Sequence, residues 1–337
     1  MPVQLRDAAT VMLVRDAPEQ QDAPEQQGAP EQQGAPDRPR PGPEGTETTR
    51  LEVFMLRRAL AAEFVGGAYV FPGGAVDPGD GAADLEAVCE GRTDAEASAI
   101  LGLPTGGLAY WVAAVRECFE EAGILLVYGP SGRLVSLSDP DAARRFRAHR
   151  AEVDAGRRRL VEVCLAEGLR LAVDRLHYFS HWITPLGPPR RYDTRFFVAG
   201  VPPEQVPLHD DRETIANLWT TPAAALARHQ AGDLELVVPT IHSLRALGRF
   251  ATTADLLRAA AAIEHVPAIQ PRIVAGGEGV RILLPGDRGY LEAGDEPLPE
   301  GMPMPGLPGG PAVSGGPAVS GDPAVSGDPA VSGDRRG

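Results

Sequence analysis

The sequence has no lysine: every one of its 32 basic residues is arginine. No amine side chain is on hand as a nucleophile or phosphate anchor, so cationic work falls to guanidinium groups, which stay charged at physiological pH. A GC-rich coding preference is enough to account for the bias. Cysteine is nearly as scarce, with Cys89, Cys118 and Cys164 far apart and no CxxC pair. That excludes a disulfide framework, argues against structural zinc, and matches the usage of a reducing compartment. Long apolar runs are missing as well. The segment "AATVMLV" near the start is short and closed by Arg15, which leaves no signal peptide and no membrane-spanning helix. The final "RRG" is no peroxisomal address, and a soluble cytoplasmic protein without a membrane partner is the expectation. Basic excess is absent too. A formal net charge of −14 does not suit a general nucleic-acid backbone binder, which needs a basic face. No motif specifies an oligomeric state.

What is present is a chain of 337 residues, 43% hydrophobic, enough for a sizeable core. Two low-complexity stretches frame the folded part. Residues 17–50 contain the repeat "APEQQG", and residues 291–337 contain "PAVSGD" in tandem; both are too poor in large apolar residues to pack and are expected to be disordered. The first repeat interrupts a pair of strand-like runs, "AATVMLVR" and "LEVFMLRR". The plainest reading is a hairpin with an inflated loop, because closure entropy rises only logarithmically with loop length. The folded domain is therefore expected over residues 3–290.

Within it, "AYVFPGGAVD" reads as a strand entering a Gly-rich turn, with a short helix near 84–90. A helix follows over about 108–122, stopped by Gly123, and "ILLVYG" reads as a buried strand. Residues 139–171 and 222–263 carry helical signal. "HYFSHWITP" and "RRYDTRFFVAG" read as strands joined by the "LGPP" turn, and "PRIVAGGEGVRILLP" as a hairpin. Strands and helices alternate irregularly, which predicts an α/β fold: a mixed sheet covered by helices.

The helix over 108–122 gathers Glu117, Glu120 and Glu121 at i, i+3 and i+4 while Leu108, Val112, Val115 and Phe119 keep apolar spacing. Many charged helix faces merely meet water. In a cleft, however, two carboxylates about 4 Å apart repel by roughly 4 kcal/mol at an effective dielectric of about 20. A hard divalent cation relieves that repulsion, and Mg²⁺ favours carboxylate and phosphate oxygens.

The stretch "FPGGAVDPGD", followed later by "RECFEEAGI", resembles the signature of the Nudix hydrolases: Gly, five residues, Glu, seven residues, then Arg-Glu-apolar-x-Glu-Glu-x-Gly-apolar. Arg116, Glu117, Cys118, Glu120, Glu121, Gly123 and Ile124 match its second half. There are two departures. Counting from Gly74, Asp80 stands where glutamate is usual. Counting on, the arginine is due at position 88 and stands at 116, so an insertion over residues 81–107 splits the motif. The interruption resembles a long-insert branch of the family that includes a mammalian peroxisomal acyl-coenzyme A diphosphatase. The similarity runs on through "HWITPLGPPRRYDTRFFVA" and "LVVPTIHSLRAL".

That resemblance implies an α/β/α sandwich and a Mg²⁺- or Mn²⁺-dependent hydrolase of a nucleoside-diphosphate compound, with coenzyme A or acyl-coenzyme A favoured. It implies Glu117, Glu120 and Glu121 as metal ligands, joined by Gly74 and Asp80, with Arg116 orienting the carboxylates. Gly73 and its neighbour allow backbone to approach metal or phosphate closely. Arg190, Arg191 and Arg195 are candidate phosphate forks, though a solvated strand edge accounts for any one of them. The general base is a box glutamate or one of Asp210, Asp211 and Glu213 in the acidic segment "HDDRE", which also reads as a plain solvated turn. His181 and Trp182 are candidates for stacking on a base, or core residues. Cys118 fills the apolar slot and is expected to be inert. ADP-ribose, a dinucleotide such as NADH, or a non-catalytic nucleotide sensor are the competing readings.

Overall fold

Strand β1 (Leu5–Asp16) organises the molecule. Ala9, Val11 and Leu13 join one buried cluster and Met12 and Val14 the other, because successive side chains of a strand point to opposite faces. An all-apolar run of this kind needs cover on both sides. The computed structural model describes residues 3–18, 51–59, 66–207, 214–276 and 279–293. The Gln- and Val-rich repeats read from the sequence as disordered lie largely outside the described residues.

After β1 come β2 (Leu51–Arg58), β3 (Tyr69–Val70), β4 (Gly73–Ala75), α1 (Asp94–Leu101), α2 (Leu108–Ala122), β5 (Val127–Tyr128), α3 (Pro140–Asp154), α4 (Leu160–Glu167) and β6 (Arg170–Leu171). The second half contains β7 (His177–Ile183), β8 (Arg191–Gly200), β9 (Thr214–Thr220), α5 (Pro222–Gln230), α6 (Val238–Leu247), α7 (Thr253–Ala261), β10 (Ala268–Ile269), β11 (Arg272–Gly276) and β12 (Gly279–Leu283). The main sheet runs β10-β7-β8-β1-β2-β3, with β4 also on β1 and β9 also on β2. It is mixed: β8 lies parallel to β1 and β2 antiparallel. One cluster gathers α2 and α4 with Phe146 of α3 on one face; the other gathers α5, α6 and α7 on the opposite face. The expected α/β/α sandwich is the observed architecture.

Asp16 pairs with Leu51, so β1 and β2 form the hairpin expected across the first repeat. Elsewhere several expectations need correcting. The stretch "ILLVYG" is strand only at Val127–Tyr128; Ile124, Leu125 and Leu126 are fully buried without extended pairing. The helix expected near 84–90 is a single 3₁₀ turn, Glu86–Val88. The insertion's real helix is α1, started by a capping box in which Thr93 and Glu96 exchange hydrogen bonds. The helical signal over 139–171 and 222–263 is met, by two helices and three, with Gly156, Gly232 and the Pro and Thr caps dividing them.

Candidate active site

Helix α2 forms where the sequence places it, and its burial explains why. Trp111, Val112, Val115 and Phe119 are each at most 1% exposed and pack on the sheet. The Trp111 indole N–H donates to the carbonyl of Leu176 at 3.0 Å. At the N-terminus Asp94 of the insertion accepts from the amides of Leu108 and Gly106 at 3.0 and 2.9 Å, satisfying donors that a helix leaves open. At the other end Gly123 takes φ +68, where a side chain is strained. Its N–H donates to Phe119 and that of Ile124 to Cys118, a Schellman closure.

The turn comes to this helix through β1. Ala8, Ala9 and Thr10 pair with Ala75, Gly74 and Gly73, which sets the two glycines beneath the glutamates. A Cβ at Gly74 would lie 2.4 Å from Glu117 Oε1, and one at Gly73 would lie 2.5 Å from the Ala9 carbonyl oxygen. The Gly73 amide donates to Glu121 Oε2 at 2.8 Å. Backbone approach requires glycine at position 73, while at position 74 a side chain would displace the Glu117 carboxylate.

Arg116 bridges the split motif. Its Nε and Nη2 reach the two oxygens of Asp80 at 2.9 and 3.0 Å, a bidentate fork. Nη2 also donates to the Ala75 carbonyl, while Nη1 donates to Glu117 at 2.9 Å and Glu120 at 3.2 Å. Asp80 is 4% exposed and its Oδ2 accepts from the Asp77 amide as well. With both oxygens engaged, Asp80 anchors the arginine.

One guanidinium serves four carboxylates here, those of Asp77, Asp80, Glu117 and Glu120, in a site where burial makes the two glutamates weaker acids. Burial pushes Glu117 up to about 7, with Arg116 opposing and Glu120 adding to the rise. Burial likewise pushes Glu120 up to about 6 against Arg116, with Asp154 adding to it. A donor set of hard oxygens holding excess negative charge beside a bare glycine backbone fits a divalent cation in its chemistry. As placed, the carboxylates are turned apart, Glu117 and Glu120 to Arg116 and Glu121 to Gly73. Among the described residues no three acidic, His or Cys side chains already form a metal cluster.

The other predicted residues fall in three places. Arg191 lies opposite Leu5, at the sheet end where β4 leads into the Asp77–Asp80 turn, and its Nε donates to the carbonyls of Thr184 and Pro185. Arg190 is exposed beside it. Arg195 is separated from both: it is 4% exposed, paired with Asp193, and stacked 4.9 Å from the Tyr110 ring under α2. Asp210, Asp211 and Glu213 lie outside the described residues. His181 pairs with Asp193, and Trp182 is buried against His242. Cys118 is fully buried and its thiol pushed well up by that burial, an inert packing group as expected.

Sequence reasoning passed over Arg150 and Gln205. Arg150 of α3 donates to the carbonyls of Glu120 and Glu121 at 2.9 and 3.0 Å. The buried carboxamide of Gln205 accepts from the Leu125 amide and donates to the Leu125 and Val135 carbonyls. Neither belongs to a local motif; Arg150 sits one turn after Phe146, the apolar residue that anchors α3, and that spacing is the one available signal.

A glycine turn seated under a glutamate helix, on a mixed sheet with helices on both faces, defines the class: a Nudix hydrolase. A solved NUDIX hydrolase from Alicyclobacillus acidocaldarius is 27% identical, with a TM-score of 0.56 over 76% of this chain and 96% of that one. The model of the NUDT19 Nudix domain matches residues 5–247. Acyl-coenzyme A diphosphatase NUDT19 of Gallus gallus is 31% identical, the match covering 86% of this chain and 81% of the relative. Its Homo sapiens counterpart is also 31% identical, over 72% of this chain and 73% of its own length. The chain belongs to the NUDT19 Nudix domain family. No helix among the described residues is long and apolar enough to cross a membrane.

Proposed function

We propose that the protein hydrolyses the diphosphate of coenzyme A or acyl-coenzyme A with Mg²⁺ or Mn²⁺. One observation carries the reading: the interrupted motif is whole in space, with Asp80 on Arg116, Gly74 against Glu117 and Gly73 on Glu121. The substrate is taken from the relatives, which carry the name acyl-coenzyme A diphosphatase. Glu120 and Glu121 are the principal ligands, with Glu117 and the backbone of Gly74 beside them. A bound divalent ion supplies charge neutralisation at the phosphoryl oxygens and a more acidic water.

The remaining work belongs to the chain itself. Arg116, fixed by Asp80, keeps Glu117 and Glu120 on one side of the helix. Gly73 and Gly74 leave room for phosphate at the backbone. The proton acceptor is a box glutamate or one of Asp210, Asp211 and Glu213; separate amide substitutions distinguish them. Arg190 and Arg191, at the sheet end next to the turn, suit the substrate's phosphates. Arg195, spent on Asp193 and Tyr110, is assigned to holding α2 on the sheet. Three free buried cysteines suit a reducing compartment, and the cytoplasm is the location we assign.

Incubation of coenzyme A with the protein and Mn²⁺ or Mg²⁺ is expected to yield 3′,5′-ADP and 4′-phosphopantetheine, and chelation to stop the reaction. Faster turnover of ADP-ribose or NADH in the same panel would move the substrate assignment and keep the chemistry. Tight nucleotide binding without cleavage of any diphosphate would make the protein a sensor.

A further inference from the structure

The carboxyl end of α2 carries the glutamates, and helix ends fray unless their last carbonyls find donors. The Schellman closure takes the carbonyls of Cys118 and Phe119. The next two, of Glu120 and Glu121, receive the two arms of a single guanidinium, Arg150 Nε at 2.9 Å and Arg150 Nη2 at 3.0 Å. The donor comes from α3, outside the signature, and it is a half-buried side chain lying where a Cβ on Gly123 would meet its Nη1 at 2.9 Å. A cation at this end also complements the negative pole of the helix.

We propose that Arg150 is a positioning residue: its fork fixes the backbone of Glu120 and Glu121 and so determines where their carboxylates meet the metal. The inference rests on the functional reading above and adds a component that the signature does not contain. The planar, two-armed geometry matters as much as the charge, because a lysine supplies a point charge without the fork. Phe146 and Val153, buried on the same helix, hold α3 in place so that the fork is rigid.

The test uses the full chain and the variants Arg150→Met, Arg150→Lys and, as a packing control in the cluster on the opposite face of the sheet, Leu244→Ala. Three readouts are compared: backbone amide exchange over residues 119–125 without metal, Mn²⁺ binding followed by its electron paramagnetic resonance signal without substrate, and kcat against KM. Arg150→Met is expected to speed exchange in that segment and to weaken Mn²⁺ binding about tenfold or more. Its kcat is expected to fall about 10- to 100-fold with KM within twofold. Arg150→Lys should recover part of each change, while Leu244→Ala lowers thermal stability and leaves Mn²⁺ affinity alone. If Arg150→Met does not fold, Arg150→Lys carries the test, and parental exchange and Mn²⁺ affinity in that variant overturn the proposal. Loss of stability in Arg150→Met with unchanged Mn²⁺ affinity overturns it equally. A parent protein that binds no Mn²⁺ removes the functional reading and this one together.

Discussion

The two halves of the split signature do different physical jobs. The turn half, Gly73 to Asp80, works through what it omits: two absent side chains let backbone and carboxylate approach to distances that a Cβ would block. The helix half, Arg116 to Gly123, works through what it concentrates, three glutamates and an arginine on one buried-edge face. They meet where Gly73 touches Glu121, Gly74 touches Glu117, and Asp80 and the Ala75 carbonyl take Arg116. The lesson is that this motif is defined by convergence in space and not by spacing along the chain.

The largest effect should come from the charged half. Glu121→Gln keeps the size of the side chain and an oxygen for the Gly73 amide, but removes the charge; kcat is expected to fall about 10²- to 10³-fold with a parental melting midpoint. Comparable rates in the two proteins at saturating Mn²⁺ would remove Glu121 from the ligand set. Next comes the joint. Asp80→Asn strips Arg116 of its bidentate partner and should cost about 3 kcal/mol by denaturant titration, the lower end for breaking a buried pair because Glu117 and Glu120 remain. A loss of activity without loss of stability would instead make Asp80 a ligand.

The glycines sharpen the contrast further. In Gly73→Ala the new methyl strikes the backbone of Ala9 and Thr10, so about 1–3 kcal/mol of stability should be lost. In Gly74→Ala it strikes a flexible carboxylate; the fold should hold and turnover drop about tenfold or more, since the displaced Glu117 oxygens are held within about 1 Å by the chemistry. Equal behaviour of the two variants would dissolve the distinction. The smallest effect is a pH dependence of the metal-free protein. Glu117 and Glu120 have folded values above their ordinary ones. Their protonated forms therefore stabilise the fold at low pH, and that contribution is lost as pH rises through about 6 and 7. The melting midpoint should decline from pH 5.5 to pH 8, and Mn²⁺ at pH 8 should reverse the decline.

Much of this was legible in the residues because local signals and tertiary demands agree. Helix α2 has one apolar stripe, one glutamate face and a glycine stop, and it spans Leu108–Ala122 as expected. The hairpin of β1 and β2 survives a long interruption because both strands are apolar on both faces. Where the two kinds of signal diverge, reading fails. Ile124, Leu125 and Leu126 are buried by packing, which their composition could not distinguish from strand pairing. Arg195 looked like its neighbours Arg190 and Arg191, and its burial follows from lying opposite Ala9 beneath Tyr110, a fact of sheet register. Arg150 is one arginine among several on a charged helix, and its value comes from α3 crossing the end of α2.

Arg116 and Asp80 clasp across a stretch of chain that takes no part in the clasp itself. The intervening chain packs on the core through Leu85, Val88 and Cys89, and at exposed positions beside these anchors, such as Ala83 and Asp84, it can lengthen at little entropic penalty without disturbing the reacting atoms. Enzymes built this way can acquire new appendages within their most guarded region.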